Sequence, residues 1–244
     1  MNGGLITKNM LYLIGLGLDK KDISLKALEA IKACDKVYLE TYTNVYYYSQ
    51  NDVEKTIKRK VIPADRKIIE EGKEILEQAK KQKIALLVSG DPLAATTHVD
   101  LLLRAKKMKI KAKIIHAPSI FTAISETGLQ LYKFGKITSI PGFEAESFIE
   151  IIKDNLKINA HSLILVDIDL ESKDALDKLD KVINKNKIQF DKIIICSRLG
   201  TKDSKIFYDN IEKLMKIKIE KPYCIIIPGK LHFFEKEVLE IISS

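Results

Sequence analysis

Short apolar runs alternate with amphipathic segments along almost the whole chain, and this alternation limits the possible folds more than any single motif does. Residues 11–14, 37–40 and 84–89 have the apolar character of buried strands. Residues 25–33 repeat apolar side chains at helical spacing directly after Ser24, which can cap a helix. Strand and helix repeated in this order predict a parallel α/β sheet with right-handed crossovers and helices on both faces.

The same alternation continues to the end of the chain. It predicts further strands at 60–62, 110–116, 163–168, 193–196 and 223–227, and further helices at 68–81, 98–107, 144–156, 173–184, 209–215 and 235–242, with another after Pro118. A stretch punctuated by Gly and Pro, residues 128–141, has no strong period and separates two halves. We therefore expect two α/β domains, an N-terminal one over 10–128 and a C-terminal one over 129–244.

The composition is that of an ordered globular protein. The 244 residues are 46% hydrophobic and 30% charged with six prolines, which excludes disordered and fibrous classes. Three cysteines without a C-x-x-C pair indicate a reducing, cytoplasmic environment and no structural zinc. The apolar run 10–18 is too short to span a bilayer of ~30 Å, so it is expected to form a strand and not a membrane helix.

The formal net charge is +8, and half of the excess lies between residues 101 and 150. A stretch without any carboxylate holds six basic residues, Arg104, Lys106, Lys107, Lys109, Lys111 and Lys113. It could steer an acidic partner such as nucleic acid, or it could guard a strand edge. The second interpretation is favoured because the lysines of 107–113 alternate with less polar residues.

Two glycine-containing turns follow predicted buried strands. Gly15-Leu16-Gly17-Leu18 lacks the third glycine of a dinucleotide fingerprint, since position 20 is Lys20. Glu40 could still bind a ribose hydroxyl in a Rossmann-type site, or the glycines could simply form a turn. Ser89-Gly90-Asp91-Pro92-Leu93 places Asp91 at the carboxyl end of a strand, where it could meet a ligand or cap the next helix.

Two further motifs also follow predicted strands. His116-Ala117-Pro118-Ser119-Ile120 precedes a helix, so its amides could bind an acceptor, or Ser119 could cap the helix. Pro228-Gly229-Lys230-Leu231-His232 differs from a phosphate loop because Leu231 replaces the required Ser or Thr. No nucleophile elbow and no H-E-x-x-H pattern is present.

Five segments together resemble one methyltransferase family. They are Leu11-Tyr12-Leu13-Ile14-Gly15-Leu16-Gly17-Leu18, Ser89-Gly90-Asp91-Pro92-Leu93-Ala94-Ala95-Thr96-Thr97-His98, His116-Ala117-Pro118-Ser119-Ile120, Tyr132-Lys133-Phe134-Gly135 and Ile227-Pro228-Gly229-Lys230-Leu231-His232. In order and wording they resemble the diphthine synthases, a branch of the tetrapyrrole methylase-like S-adenosylmethionine methyltransferases. The glycine turn and the G-D-P loop are shared across the wider group, whereas residues 91–98, 116–120 and 229–232 single out the diphthine branch.

The resemblance implies a fold, an activity and partners. The fold would be two α/β domains with the cofactor and active site in the cleft between them, which disfavours the role of Glu40 in a Rossmann-type site. The activity would be successive methylation of the amino nitrogen of an aminocarboxypropyl-modified histidine on translation elongation factor 2. Archaeal-type members would stop at trimethylated diphthine, to which this short chain looks closer, whereas eukaryotic-type members also methylate a carboxylate. A homodimer is implied, with no membrane and no requirement for nucleic acid.

The resemblance also implies cofactor contacts for S-adenosylmethionine. Six positions match the family motifs directly: Leu18, Asp91, Ala94, Ser119, Ile120 and His232. Val166 and Tyr208 match only by alignment through divergent flanks. We expect Asp91 near the positive part of the cofactor, backbone groups around Leu18 and Ser119 on the rest, and His232 as a contact and not a base. No catalytic residue and no metal is implied.

Departures from the family pattern keep alternatives open. The stretches 137–147 and 171–178 are shorter than usual, and both could contact the acceptor, while residues 1–9 precede the usual start and are expected to be a disordered extension. One alternative is a sibling methyltransferase that acts on a tetrapyrrole or on ribosomal RNA. Another is a basic RNA-binding module without catalysis, which would use the lysines of 106–113.

Overall fold

The computed structural model describes residues 9–42 and 47–243. It divides into two compact units, Met1–Phe121 and Thr122–Ser244. The predicted domain boundary at 128/129 thus lies seven residues beyond the observed division at 121/122. Of the predicted N-terminal extension, residues 1–8 lie outside the described residues.

The first unit contains one parallel five-stranded sheet with the order β3-β2-β4-β1-β5. Its strands are β1 (Met10–Gly15), β2 (Lys36–Glu40), β3 (Ile62–Ala64), β4 (Lys83–Val88) and β5 (Ala112–Ile115). Its helices are α1 (Leu25–Lys32), α2 (Gln50–Ile57), α3 (Arg66–Glu71), α4 (Lys73–Ala79) and α5 (Val99–Lys107), while α6 (Ile120–Ala123) spans the division. The predicted parallel α/β sheet is confirmed for this half of the chain.

The central strands of this sheet are apolar because helices cover both of their faces. Leu86 and Leu87 are adjacent on β4 and belong to different buried clusters, one on each side of the sheet. Each fully buried leucine stabilises the fold by about 1.5–3 kcal/mol relative to an exposed one. As predicted, Ser24 caps α1, because its hydroxyl accepts a hydrogen bond of 3.1 Å from the Ala27 amide.

One predicted helix of the first unit is two helices in the structure. The periodicity of 68–81 predicts a single helix, but α3 ends and α4 begins at Gly72, which has a φ of +57°. A left-handed residue stops the run of backbone hydrogen bonds, so the chain turns there. The helix α2 was not predicted, although Ser49 and Asp52 form a capping box at its start.

The second unit contains a mixed five-stranded sheet with the order β6-β7-β10-β8-β9. Its strands are β6 (Thr138–Ile140), β7 (Ser162–Val166), β8 (Ile193–Ser197), β9 (Lys205–Asp209) and β10 (Tyr223–Ile227). Its helices are α7 (Phe148–Lys157), α8 (Ser172–Lys185), α9 (Ile211–Leu214) and α10 (Phe233–Ile242), with short 3-10 helices at Ile124–Thr127 and Leu131–Lys133.

The expectation of a parallel sheet is wrong for this second unit. Only β6 and β7 pair in parallel, whereas β7 with β10, β10 with β8, and β8 with β9 are antiparallel. The short connection 198–204 joins neighbouring strands β8 and β9, and a link of that length allows only antiparallel pairing. The buried residues of α7 and α8 form one core cluster with the sheet, in which Ile152, Leu179 and Ile225 are fully buried.

The three cysteines of the chain all lie within the described residues. Cys34, Cys196 and Cys224 are all free and buried, and burial raises the pKa of the Cys34 thiol to about 11. Across residues 9–42 and 47–243, no helix combines the length and apolarity needed to cross a membrane.

Candidate functional site

Three loops of the first unit meet at one edge of its sheet. The strand β1 lies between β4 and β5, and all three run in parallel, so their carboxyl ends share an edge. The segments that follow these ends are 15–18, 89–93 and 116–120, the three motifs that the sequence places after strands. Ligands of open α/β sheets collect at this kind of edge.

The glycines of the first two loops allow their backbones to pair. Gly17 and Gly90 exchange two hydrogen bonds, of 3.2 Å and 2.9 Å, and both have a left-handed φ, of +79° and +66°. A Cβ atom at Gly15 would lie 2.5 Å from the carbonyl oxygen of Gly90. Glycines at positions 15, 17 and 90 therefore let the two loops approach each other closely.

The carboxylate of Asp91 accepts three hydrogen bonds from groups in the loops themselves. Its Oδ1 accepts from the Leu93 amide at 3.0 Å, and its Oδ2 accepts from His116 Nδ1 at 2.7 Å and from the Ala117 amide at 3.2 Å. It does not cap the following helix, because α5 begins after His98. Asp91 thus ties the G-D-P loop to the loop after β5.

The other predicted cofactor residues of this unit lie on the same loops. The Leu18 amide donates to Asp22 Oδ2 at 2.9 Å, and the Leu18 side chain is half-buried. Ala94 is half-buried in the turn after Asp91, while Ser119 is buried and Ile120 begins α6. A Cβ atom at Gly90 would make ordinary van der Waals contacts of 3.9 Å with Pro118 and Ser119, so the loop after β5 packs against the G-D-P loop. The structure brings these five residues to one edge.

Glu40 does not lie where a Rossmann-type ribose contact requires it. Its side chain is fully buried, and its Oε1 accepts from the Tyr42 amide at 2.7 Å. Nearby His98 is also fully buried, with Nδ1 3.2 Å from the Pro92 carbonyl. Burial lowers the pKa of His98, although the charge of Glu40 opposes that shift. Both side chains are therefore buried inside the first unit, and His98 contacts the carbonyl of Pro92 in the G-D-P loop.

In the second unit the predicted contacts are separated. Tyr208 pairs with Ile194 near the end of β9, and Val166 ends β7. Those two strands are three steps apart in the sheet, about 14 Å at ~4.8 Å per strand. Val166 and Tyr208 are both half-buried, and Lys192 Nζ lies 4.9 Å from the centre of the Tyr208 ring. The structure does not bring these two residues together.

His232 lies at the start of α10, where it caps the helix. Its Nδ1 accepts from the Phe234 amide at 3.4 Å, and its own amide donates to Glu235 Oε2 at 2.7 Å. The His232 side chain is exposed and stacks with Phe233 and Phe234. The position therefore has a structural role, while its contact with the cofactor stays a prediction.

Sequence reasoning missed a buried polar network around Glu235. Its carboxylate is 1% exposed and accepts from Lys133 Nζ, from His161 Nε2 at 3.2 Å and from the Gln130 amide at 3.0 Å. Burial alone would raise the pKa of Glu235, but the hydrogen bonds from Lys133, His232, Gln130 and His161 lower it to about 2.

The network around Glu235 gives a structural role to two sequence motifs, residues 132–135 and the loop after β10. Gly229 donates to His161 Nδ1 at 3.0 Å, and Lys133 donates to the Lys230 carbonyl at 2.9 Å. The Tyr132-Lys133-Phe134-Gly135 motif and the loop after β10 are thus fixed to Glu235 and to each other. The sequence offered one signal for this network, because Lys133 and Gly229 both belong to the motifs that resemble the family.

The two shortened stretches are in contact with each other. Lys178, in α8, donates to the carbonyls of Pro141, Gly142 and Phe143 at 3.1–3.2 Å. Phe143 is 71% exposed.

Within the described part of the chain, no group of three or more His, Cys, Asp or Glu residues is placed to hold a metal ion.

Comparison with known proteins agrees with this architecture. The family model for tetrapyrrole (corrin/porphyrin) methylases matches residues 10–215. A diphthine synthase of Methanococcus maripaludis is 39% identical over 249 residues, with 95% of this chain and 98% of that protein covered. The diphthine methyl ester synthase of Schizosaccharomyces pombe is 46% identical over 165 residues, with 65% and 58% covered. A crystal structure of diphthine synthase superposes with a TM-score of 0.90 at 34% identity, covering 96% of both chains.

The paired glycine loops and the two sheets are accordingly those of a tetrapyrrole methylase-type methyltransferase. Within that class, the chain belongs to the diphthine synthase family.

Proposed function

We propose that this methyltransferase adds methyl groups successively to the amino nitrogen of an aminocarboxypropyl-modified histidine on translation elongation factor 2, giving diphthine. The observation that carries the proposal is similarity to diphthine synthases over 95% of the chain. Family membership makes the chain an S-adenosylmethionine-dependent methyltransferase of diphthamide biosynthesis and excludes a binding module without catalysis. The same similarity favours a modified protein over a tetrapyrrole or ribosomal RNA as the acceptor.

The donor set at the sheet edge fits the proposed cofactor. S-adenosylmethionine, when bound, supplies an activated methyl group on a sulfonium. In the first unit we propose Leu18, Asp91, Ala94, Ser119 and Ile120 as its contacts, because their backbone groups lie on loops that glycines hold together. Since the Asp91 carboxylate has three internal donors, its part in binding is to shape the loop.

In the second unit we propose Val166, Tyr208 and His232 as further contacts. Tyr208 offers an aromatic ring, and His232 is exposed at the start of α10. Val166 ends a strand in a half-buried position, next to the Gly142 loop that Asp167 holds with a hydrogen bond of 3.2 Å. Single alanine variants at these positions should weaken S-adenosylmethionine binding in calorimetry, and unchanged affinity in all three would exclude this set.

In this reaction the chain's own residues position the two reactants and exclude water. Methyl transfer to an amine is an in-line displacement, so alignment of nitrogen, carbon and sulfur supplies most of the rate enhancement. The paired Gly17 and Gly90 backbones and the Asp91 hydrogen bonds fix the loops before any ligand arrives. This preorganisation avoids a cost that flexible loops would have to meet on binding.

One experiment tests the acceptor. The protein is incubated with methyl-labelled S-adenosylmethionine and three separate acceptors: elongation factor 2 carrying the aminocarboxypropyl histidine, ribosomal subunits and an unmethylated porphyrinogen. Label should enter elongation factor 2 alone, and unmodified elongation factor 2 serves as the control. Transfer of label to ribosomal RNA or to the porphyrinogen instead would overturn the proposed acceptor.

A second candidate adds a further methyl ester to the product. The observation that favours it is the 46% identity to a diphthine methyl ester synthase over 165 residues. Mass spectrometry of the modified peptide decides between the two, because an ester methyl is lost in mild alkali while the three methyl groups on nitrogen remain. We propose that the product is the trimethylated form, so alkali should leave the peptide mass unchanged.

We also propose that the protein works as a homodimer in the cytoplasm and without nucleic acid. The free, buried cysteines are compatible with a reducing compartment. Sedimentation equilibrium should give twice the chain mass of 27.7 kDa, and a single-chain mass would contradict the dimer. Nuclease treatment should leave the activity unchanged.

A further inference from the structure

His116 is an exposed histidine held by a nearly buried carboxylate. Its side chain is 68% exposed, whereas that of Asp91 is 12% exposed, and Nδ1 lies 2.7 Å from Asp91 Oδ2. Because a carboxylate accepts, Nδ1 carries the proton of the neutral ring, and the lone pair is on Nε2. The imidazole is therefore oriented with its basic nitrogen away from Asp91.

Packing alone does not account for this arrangement. Asp91 is already tied to its surroundings by the Leu93 and Ala117 amides, so the loop does not depend on a histidine. The His116 ring faces solvent, so its hydrogen bond to Asp91 adds little to the stability of the loop. A carboxylate that fixes the tautomer and direction of a solvent-facing imidazole is the usual arrangement of a general base.

The location connects His116 with the predicted cofactor loops. It is bonded directly to Asp91 and lies three residues before Ser119, both of which we propose as part of the cofactor site. It follows β5, so it shares the sheet edge with the paired glycine loops. No other described histidine of this unit is exposed, since His98 is fully buried.

The proposed reaction needs a base at each methyl transfer. An amine with a pKa between ~8 and ~10.4 is mostly an ammonium ion at neutral pH and has no lone pair for attack. Resting on the function proposed above, we propose that His116 Nε2 accepts this proton and is a catalytic residue of the methyltransferase. Asp91 is then the positioning residue that holds the imidazole and stabilises the imidazolium.

Each methyl transfer removes one proton from the ammonium ion and adds one methyl group to its nitrogen. The ammonium N–H bond breaks, its proton goes to Nε2, and its electron pair remains on nitrogen. That pair forms the bond to the methyl carbon while the carbon–sulfur bond breaks and leaves its electrons on sulfur. His116 returns the proton to solvent, to which its ring is open. After the third transfer the nitrogen has no proton left to lose, so the sequence ends.

The test compares His116→Gln with the wild type at pH 7.0 and pH 9.5, with saturating S-adenosylmethionine and modified elongation factor 2. Glutamine can still donate to Asp91 but accepts no proton at these pH values. We expect kcat at pH 7.0 to fall by about 100-fold or more, the lower range for loss of a general base. At pH 9.5 the amine is largely deprotonated without help, so the loss should shrink to a few-fold. Lys113→Gln, an exposed neighbour on β5, should match the wild type at both pH values.

Two further measurements separate the outcomes. His116→Ala should regain activity at pH 7.0 when imidazole is added, and calorimetry should show an unchanged Kd for S-adenosylmethionine in both variants. An equal loss at both pH values, or no loss at all, overturns the role of His116 and leaves the proposed function intact. A wild-type protein that binds S-adenosylmethionine but never labels elongation factor 2 overturns the proposed acceptor itself.

Discussion

Gly15 lies at the point where three loops of the first unit come closest. A Cβ atom there would be 2.5 Å from the Gly90 carbonyl oxygen, 2.8 Å from Ala117 Cβ and 3.0 Å from Pro92 Cδ. Two of these neighbours are a backbone atom and a Cβ, which cannot rotate away. The residue therefore sets the spacing of the G-D-P loop and of the loop after β5, on which the proposed cofactor contacts lie.

We predict that Gly15→Ala lowers the free energy of unfolding by about 1–3 kcal/mol, the usual cost of overpacking. It should also weaken S-adenosylmethionine binding, because the three loops must move apart. Thermal unfolding followed by circular dichroism and calorimetric titration measure the two effects. Gly142→Ala is the control, since a Cβ atom there would lie 3.5 Å from its nearest neighbour and should change stability by less than ~0.5 kcal/mol. Equal effects of the two substitutions would contradict this account.

At the scale of single residues, the sequence placed the loops at the strand ends but did not predict the contacts within them. Asp91 was correctly expected at the end of a buried strand, but it does not cap the next helix, and its carboxylate accepts from His116 and from two amides. Its contact with the charge of a ligand stays a prediction. The bond to His116 spans 25 residues of chain, so no local pattern contains it. Glu40 likewise looked available in sequence and is fully buried in the structure.

Among the elements, α10 depends on a buried charge at its first turn. Glu235 connects the His232 amide to Lys133, Gln130 and His161, which come from two other segments of the second unit. A carboxylate placed near a helix N-terminus also interacts favourably with the helix dipole. The helix is therefore fixed at its start by polar contacts more than by its half-exposed apolar face.

We predict that Glu235→Ala lowers the free energy of unfolding by about 3–5 kcal/mol, because Lys133 and the buried His161 lose their acceptor. Glu240→Ala on the same helix is the matched control. Its carboxylate is exposed and 3.9 Å from Lys236, so the change should be within ~0.5 kcal/mol. Urea unfolding followed by circular dichroism gives both values. A small effect at Glu235 would mean that water replaces the lost acceptor.

Helices and strands could be predicted where a local sequence pattern determines them, but not where contacts distant in sequence do. The strand Tyr223–Ile227 was predicted to the residue, because an unbroken apolar run is a local signal. The direction of pairing in the second sheet was not, because it depends on where β10 inserts between β7 and β8. The short strands β6 and β9 were also missed, since three to five residues carry little periodicity.

The basic stretch 104–113 illustrates the same limit. The lysines of 107–113 were expected to alternate along a strand, but Lys107 ends α5 and Lys109 has a left-handed φ of +57°. Of these lysines, only Lys113 lies within β5. The favoured interpretation still agrees with the topology, because β5 is an edge strand of its sheet. Exposed lysines at such an edge prevent pairing with a second chain.

We predict that neutralising Lys111 and Lys113 to Thr increases self-association and leaves methyl transfer unchanged. The control replaces the exposed Lys26 and Lys32 of α1, which removes the same charge away from the edge. Light scattering against concentration compares the two variants. If instead both variants associate equally, net charge and not edge protection keeps the chain dispersed. Loss of methyl transfer in the edge variant alone would revive the interpretation of the stretch as a partner-binding patch.

On the scale of the whole molecule, the two units share a weakness towards acid. Each contains one fully buried histidine, His98 in the first and His161 in the second. Burial lowers the pKa of both histidines from the ordinary 6.5. The carboxylate of Glu40 partly offsets this shift at His98, and that of Glu235 does so at His161. His98 Nε2 has no hydrogen-bond partner among the described residues, and His161 Nδ1 already accepts from Gly229. A second proton on either ring would therefore lack a hydrogen-bond acceptor among the described residues.

The sign of the pH effect follows from these two shifts. As pH falls below 6.5, the unfolded chain takes up a proton at each histidine while the folded chain does not, so acid favours unfolding. We expect a constant free energy of unfolding above pH 7.5 and a loss of up to about 1.4 kcal/mol per histidine for each pH unit below 6.5. Above pH 5.5 the Glu235 carboxylate, with a pKa of about 2, stays ionised and does not contribute to the change.

Urea unfolding between pH 7.5 and 5.5 measures this loss, followed by circular dichroism because the chain has no tryptophan. His98→Gln and His161→Gln should each be less stable at pH 7.5 but should show a shallower fall with acid, since glutamine takes up no proton. The double variant should be nearly flat, and Lys113→Gln should keep the wild-type slope. Should the double variant fall as steeply as the wild type, the acid sensitivity arises from other groups, and the two buried imidazoles are protonated in the folded chain.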